Sequence, residues 1–164
     1  MKNLLLAGCF ALFTVGAISA QWSVMAGLNN VTVKVDVPGF GSASDSELGI
    51  FFGGGYEFEV DEKISLEPSV LFSFVSDLTS LYIPVMAEYE VSENFKAVAG
   101  PQLNILLEDV EDGATGVDLG LGGEYTFSGG WFAFARYAFQ ISRGGDFGDL
   151  YNINTLTLGV GKKL

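Results

Sequence analysis

Three short breaks interrupt an otherwise regular alternation of apolar and polar positions. At Val60-Asp61-Glu62-Lys63-Ile64, Val91-Ser92-Glu93-Asn94-Phe95 and Phe127-Ser128-Gly129-Gly130-Trp131, three polar or small residues separate two large apolar ones. A stretch of period-two alternation lies on each side of every break, which is the signature of a strand and not of a helix. Three-residue hairpin loops are a common class, and connections this short make the flanking strands antiparallel. The remaining joins are longer or more acidic, at Asn30 to Asp45, Val75 to Thr79, Glu108 to Gly116 and Gly144 to Leu150. The pattern predicts eight strands, at roughly 21–29, 47–60, 64–74, 80–91, 95–107, 117–127, 131–143 and 151–163. One end of the molecule then has tight turns and the other has longer loops.

Each strand has two unlike faces. The third presents Ile64, Leu66, Pro68, Val70, Phe72 and Phe74 on one side and Ser65, Glu67, Ser69, Leu71 and Ser73 on the other. The second and sixth strands follow the same rule, with the second set mostly small or ionisable. Alternation alone fits a soluble sandwich as well as a membrane barrel. Aromatic placement separates them, because Tyr56, Phe58, Tyr89, Phe95, Tyr125, Phe127 and Trp131 all fall within a few residues of the short turns. That is where an interfacial girdle belongs. An even strand count, tight turns at one end and longer loops at the other complete the layout of an all-β, eight-stranded antiparallel up-and-down transmembrane β-barrel.

The N-terminus, MKNLLLAGCFALFTVGAISAQW, adds an address. Lys2, the apolar run Leu4–Ile18 and the small pair Ser19-Ala20 read as a secretory signal peptide cleaved after Ala20. The run is short for a membrane span of about 20 residues. Leu6-Ala7-Gly8-Cys9 also matches a lipoprotein cleavage box, but it would leave only Leu4 to Gly8 as the apolar region. The expected organisation is therefore a signal at 1–20 and one barrel domain at 21–164. Cleavage removes the only cysteine, and the chain has no histidine. All 20 acidic residues lie beyond position 20, against seven Lys and Arg. Such a balance argues against binding nucleic acid or docking on anionic lipid through a basic patch.

WSVMAGLN, LGIFFGGGYEFEVDEKISLEPSVLFSF, LYIPVMAEYEVSENFKAVAGPQLNIL, VDLGLGGEYTF, WFAFARYAF and TLTLGVGKKL, in this order, resemble the bacterial outer membrane protein β-barrel domain family. These are small eight-stranded barrels akin to outer membrane proteins A and X and to PorT-like proteins. The resemblance covers nearly all of residues 21–164 and implies insertion into outer-membrane lipid with help from the barrel-assembly machinery. Family barrels usually close on an aromatic residue that this machinery reads, whereas Leu164 stands here. Because the family is functionally diverse, the resemblance implies fold and location better than task.

Pairing the residues that flank each short turn predicts the register. Val60 opposite Ile64 brings Glu57 to Glu67, Val91 opposite Phe95 brings Glu90 to Lys96 and Pro84 to Gln102, and Phe127 opposite Trp131 brings Gly122 to Arg136 and Asp118 to Gln140. The expected lumen network is Glu57, Glu67, Glu88, Glu90, Lys96, Glu124 and Arg136. Facing carboxylates in a narrow lumen do not both ionise cheaply, so Arg136 and Lys96 must compensate them or one stays protonated. Since an eight-stranded barrel is just wide enough for its own side chains, a static polar plug is preferred to a gate or ion path. Pro84 and Pro101, each lacking a ladder donor, fall at nearly the same height, which suggests a shared bulge.

Enzymatic chemistry is not expected: no histidine is present, and a filled lumen offers no cleft to a carboxylate pair. Glu108, Asp109, Glu111 and Asp112 offer oxygen ligands of the kind Ca²⁺ takes, but not at EF-hand spacing, so they read as a solvated acidic loop. Neither metal nor cofactor is expected. The sequence thus predicts a non-enzymatic envelope-structural or surface-interaction barrel whose acidic loops face an unknown extracellular partner. A narrow pore or secretion-accessory barrel, and a soluble periplasmic lipocalin-like carrier, remain as alternatives.

Overall fold

The computed structural model describes residues 21–37, 41–76, 78–107, 114–144 and 151–164. The expected signal peptide and the acidic run Glu108–Asp112 lie outside these residues. The strands are β1 (Gln21–Val37), β2 (Gly41–Asp61), β3 (Ile64–Val75), β4 (Leu78–Ser92), β5 (Phe95–Leu106), β6 (Thr115–Thr126), β7 (Trp131–Arg143) and β8 (Tyr151–Lys163). They pair antiparallel in chain order, and β8 returns to β1 to close the barrel. The seam is continued by the Leu164 N–H, which donates to the Trp22 carbonyl at 2.8 Å.

The register follows the tight turns. Pairs such as Gly55–Ser69, Pro84–Gln102, Glu90–Lys96, Asp118–Gln140 and Gly122–Arg136 are present. The turns themselves are tighter than expected in two cases. Asp61 and not Val60 pairs with Ile64, and Ser92 and not Val91 pairs with Phe95, each with a bulge just before the turn. A bulge at the strand tip absorbs one residue without passing the shift into the strand. The third turn is a 3₁₀ turn, Ser128–Gly130, in which Gly129 and Gly130 have φ of 76° and 77°, a region that favours glycine.

Two expectations need correction. The first join is not a loop from Asn30 to Asp45, because β1 runs to Val37 and β2 begins at Gly41, paired from Asn30–Leu48 to Val37–Gly41. The alternation Val31, Val33, Val35, Val37 against Thr32, Lys34, Asp36 carries that strand. Nor do the prolines share a bulge. Three ladders each skip two successive pairs, one gap holding Pro68, one Pro84 and one Pro101, and pairing resumes in the same register on the far side. A missing N–H interrupts the ladder but inserts no residue, so the register has no reason to move. The gap at Pro68 also removes the expected Glu57–Glu67 ladder pair.

The outward face is apolar over the height of the wall, with Val24, Leu28, Ile50, Phe52, Val70, Phe72, Leu121, Tyr137, Leu158 and Val160 all exposed. Every exposed charged residue among those described lies near a strand end: Lys34, Asp45 and Glu47 at one end, and Glu59, Asp61, Glu62, Lys63, Glu90 and Glu93 at the other. So wide an apolar band is far beyond the patch a soluble monomer shows. Near the short turns Tyr89, Phe95, Tyr125, Phe127 and Trp131 stand exposed, while Tyr56 and Phe58 are half-covered. Trp22 and Tyr56 meet edge-on at 4.9 Å, as do Tyr125 and Phe127 at 5.1 Å.

The interior is more apolar than the expected mix of small and ionisable residues. Met25, Phe51, Leu71, Tyr82, Phe132 and Phe134 form one buried cluster. Phe51 and Phe134 lie 5.9 Å apart between ring centres, and Phe132 and Phe134 lie 6.0 Å apart. Inward-facing glycines make room for these rings. A Cβ on Gly159 would stand 2.6 Å from Phe134 and 2.7 Å from Phe51, and one on Gly161 would overlap Phe132. Large and small residues therefore interlock across the lumen. Gly159→Val should accordingly lower unfolding stability by about 1–3 kcal/mol, measured by urea unfolding in detergent micelles, whereas Val160→Leu on the outer face should leave it nearly unchanged.

Candidate functional site

The inner face of each strand changes character from the turn end outward. On β3 the order is Ser65, Glu67, Ser69, Leu71, Ser73, Val75, and on β4, read from the turn, it is Glu88, Met86, Pro84, Tyr82, Ser80; all are buried. The Glu, Lys and Arg cluster thus gathers toward the short turns, with apolar groups in the middle and a second polar set, Asp118 and Arg143 among it, toward the outer end. At the outer end the Asn29 amide donates to Ser73 and Gln102 donates to Asp118 at 3.3 Å. Arg143 donates to Gln140 at 2.9 Å, and Gln140 donates to the Tyr151 carbonyl at 2.9 Å.

The ionic group is the candidate site. Period-two alternation puts Glu57 (β2), Glu67 (β3), Glu88 (β4), Lys96 (β5), Glu124 (β6), Arg136 (β7) and Lys163 (β8) on the inward face. Lys96 bridges Glu57 and Glu88, with its Nζ 2.8 Å from Glu88 Oε2. Lys163 bridges Glu57 at 2.7 Å and Glu124 at 3.3 Å. Arg136 Nη2 donates to Glu67 Oε1 at 3.0 Å and lies 3.9 Å from Glu124 Oε2. The Ser65 hydroxyl is within 2.8 Å of Glu57 and 3.1 Å of Glu88, and Ser23 lies 3.4 Å from Glu67. The Arg136 guanidinium packs 4.5 Å over the Phe134 ring, joining the ionic group to the aromatic one. Four carboxylates face three cations in this enclosure.

The structure brings together six of the seven residues proposed from the sequence. The exception is Glu90. It pairs with Lys96 in the backbone ladder, yet its carboxylate is exposed at the mouth, while Lys96 turns inward to Glu57 and Glu88. Buried counter-charges attract a flexible lysine more strongly than a solvated one. Lys163 was missed. Its signal is the alternation Gly159, Gly161, Lys163 opposite Leu158, Val160, Lys162, which places it inward. Ser65 stands on the inner face as expected, and its partners there are Glu57 and Glu88.

The whole of residues 4–163 matches the family model described as the outer membrane protein beta-barrel domain, so the chain belongs to that family. It is an integral protein of the bacterial outer membrane, and its apolar face meets lipid. No curated protein matches it. Among solved structures it is similar to Neisserial surface protein A, at 16% identity and TM-score 0.57, covering 90% of this chain and 100% of that one. It is similar to Ail, the attachment invasion locus protein of Yersinia pestis, in complex with the heparin analogue sucrose octasulfate (15%, 0.56, 90% and 100%). It is also similar to the N-terminal β-barrel domain of Pseudomonas aeruginosa OprF (17%, 0.50, 89% and 100%). These likenesses are of fold.

Breaking the ionic group should be costly in one direction only. Arg136→Met leaves Glu67 buried without its cation and should destabilise by about 3–5 kcal/mol. Adding Glu67→Gln to that variant removes the stranded charge and should restore most of the loss, as read by urea unfolding in micelles.

Proposed function

We propose that the barrel is a sealed, non-enzymatic anchor that presents its outer hairpin and loops to a partner outside the cell. The observation that carries this reading is at the outer end of β2. Among the described residues, Gly41 to Gly49 pair with β1 alone, and the β2–β3 ladder begins only at Ile50–Phe74. A backbone edge left open beyond the wall is a surface on which another chain can pair. Asp45 and Glu47 mark that edge as acidic, and the Ser76 hydroxyl donates to Glu47 at 2.7 Å. A sulfated polyanion of the kind bound to Ail does not suit such a surface; a basic partner does.

The interlocked rings and the ion-paired group below them support a closed lumen rather than a pore. The carboxylates support no hydrolytic role, being engaged with cations inside the wall and not set in a cleft. Export by the signal peptide at 1–20 and insertion by the barrel-assembly machinery complete this reading.

Two measurements test it. Purified barrel in planar bilayers should show no single-channel conductance; steady conductance in the wild-type protein would establish a pore instead. With the signal removed the chain has no cysteine, so Ser44→Cys should react with a membrane-impermeant maleimide on intact cells, and Ser92→Cys only after the envelope is opened. The reverse labelling would invert the barrel and remove its outward surface.

A further inference from the structure

Glu67 (β3), Glu88 (β4) and Glu124 (β6) point inward from three strands of the ionic group, and one carboxylate oxygen of each lies within 4.8 Å of the others. All three residues are at most 1% exposed. Four features of their surroundings are unusual for a simple salt-bridge cluster.

First, neither oxygen of Glu124 accepts a hydrogen bond, and Glu88 Oε1 accepts none. A buried carboxylate with unused lone pairs is strongly disfavoured. Second, Glu124 meets its cations as ion pairs without a hydrogen bond, Lys163 at 3.3 Å and Arg136 at 3.9 Å. Third, the charges do not cancel. Glu57, Glu67, Glu88 and Glu124 against Lys96, Arg136 and Lys163 leave one carboxylate in excess by formal count. Fourth, a recess of about 320 Å³ opens at the turn end, lined by Glu57, Lys96 and Lys163 of the group itself and by solvated acids such as Glu59 and Glu90. Its acidic rim raises the local cation concentration at the mouth nearest the group.

From these observations we propose that the Glu67–Glu88–Glu124 cluster is a binding site for one monovalent hard cation, Na⁺. Oxygen atoms gathered within 4.8 Å of one another are the ligand type and grouping that a hard cation takes. Carboxylate and hydroxyl oxygens suit such an ion, and the site has no nitrogen or sulfur ligand that would select a transition metal. The single positive charge makes the enclosure neutral. A divalent ion would overshoot and stand against the Arg136 guanidinium and the Lys163 ammonium. The site does not depend on what the outer hairpin binds, since it sits at the opposite end of the wall.

The test uses the folded barrel in zwitterionic detergent micelles. Thermal unfolding is followed in NaCl and in choline chloride at equal ionic strength, so that screening is the same in both. The expected result is a saturable rise in Tm of about 5 °C in NaCl, lost in Glu124→Gln, which removes the excess charge while keeping the shape of the side chain. Broadening of the ²³Na resonance by the wild-type barrel is a second readout that needs no variant. Equal Tm in the two salts with no ²³Na broadening would overturn the site. So would a response to CaCl₂ alone, or a Tm that follows pH but not Na⁺, which would assign the missing charge to a proton.

Discussion

Hydrocarbon offers a peptide group no hydrogen-bond partner, and everything else in this molecule follows from that. A strand can cross the membrane only if both its edges are paired, so the sheet must close on itself. With eight strands, closure leaves an interior little wider than the side chains that line it. Inward-facing positions are therefore packed against one another across the barrel. The phenylalanine rings and the glycines opposite them are one answer to that geometry, and the charged group is another.

Burying seven ionisable side chains is not the cheapest way to fill a narrow space. A well-packed apolar interior of equal volume would often be as stable or more so. Polarity inside serves a different end here: a strand that is apolar on both faces could slip by one residue without penalty, whereas inward Glu, Lys and Arg make a one-residue slip expose charge to lipid. Outer-face glycines and alanines between the aromatic residues are tolerated because lipid, unlike a protein core, fills the gaps.

Most of this architecture was legible from period-two alternation, because in a membrane barrel one face must be apolar and charges have only one place to go. Arg136 illustrates the strength of that rule. Its parity alone forces Phe132 and Phe134 inward, although composition would have sent those rings to the lipid. Two things were hidden. The first hairpin was obscured because Thr32, Lys34 and Asp36 resemble loop residues unless read against Val31, Val33 and Val35. The lysine choices were obscured because a long flexible side chain selects its partner by the field around it and not by ladder position. Lys96 passes over its backbone partner Glu90 for buried carboxylates on β2 and β4, and no pairing arithmetic along one hairpin reveals a contact between strands that are not neighbours.

The closing seam ties the backbone ring to the ionic group inside it. β1 and β8 are joined edge to edge, and Lys163 lies on β8 at that seam, paired with Ser23. Without β8 the sheet would have two open edges, and the inner group would hold four carboxylates facing only Lys96 and Arg136. The one strand that closes the backbone ring also supplies the third cation, to Glu57 and Glu124. Topological closure and electrostatic relief thus rest on the same strand, and the ionic group is a latch complete only when the ring is.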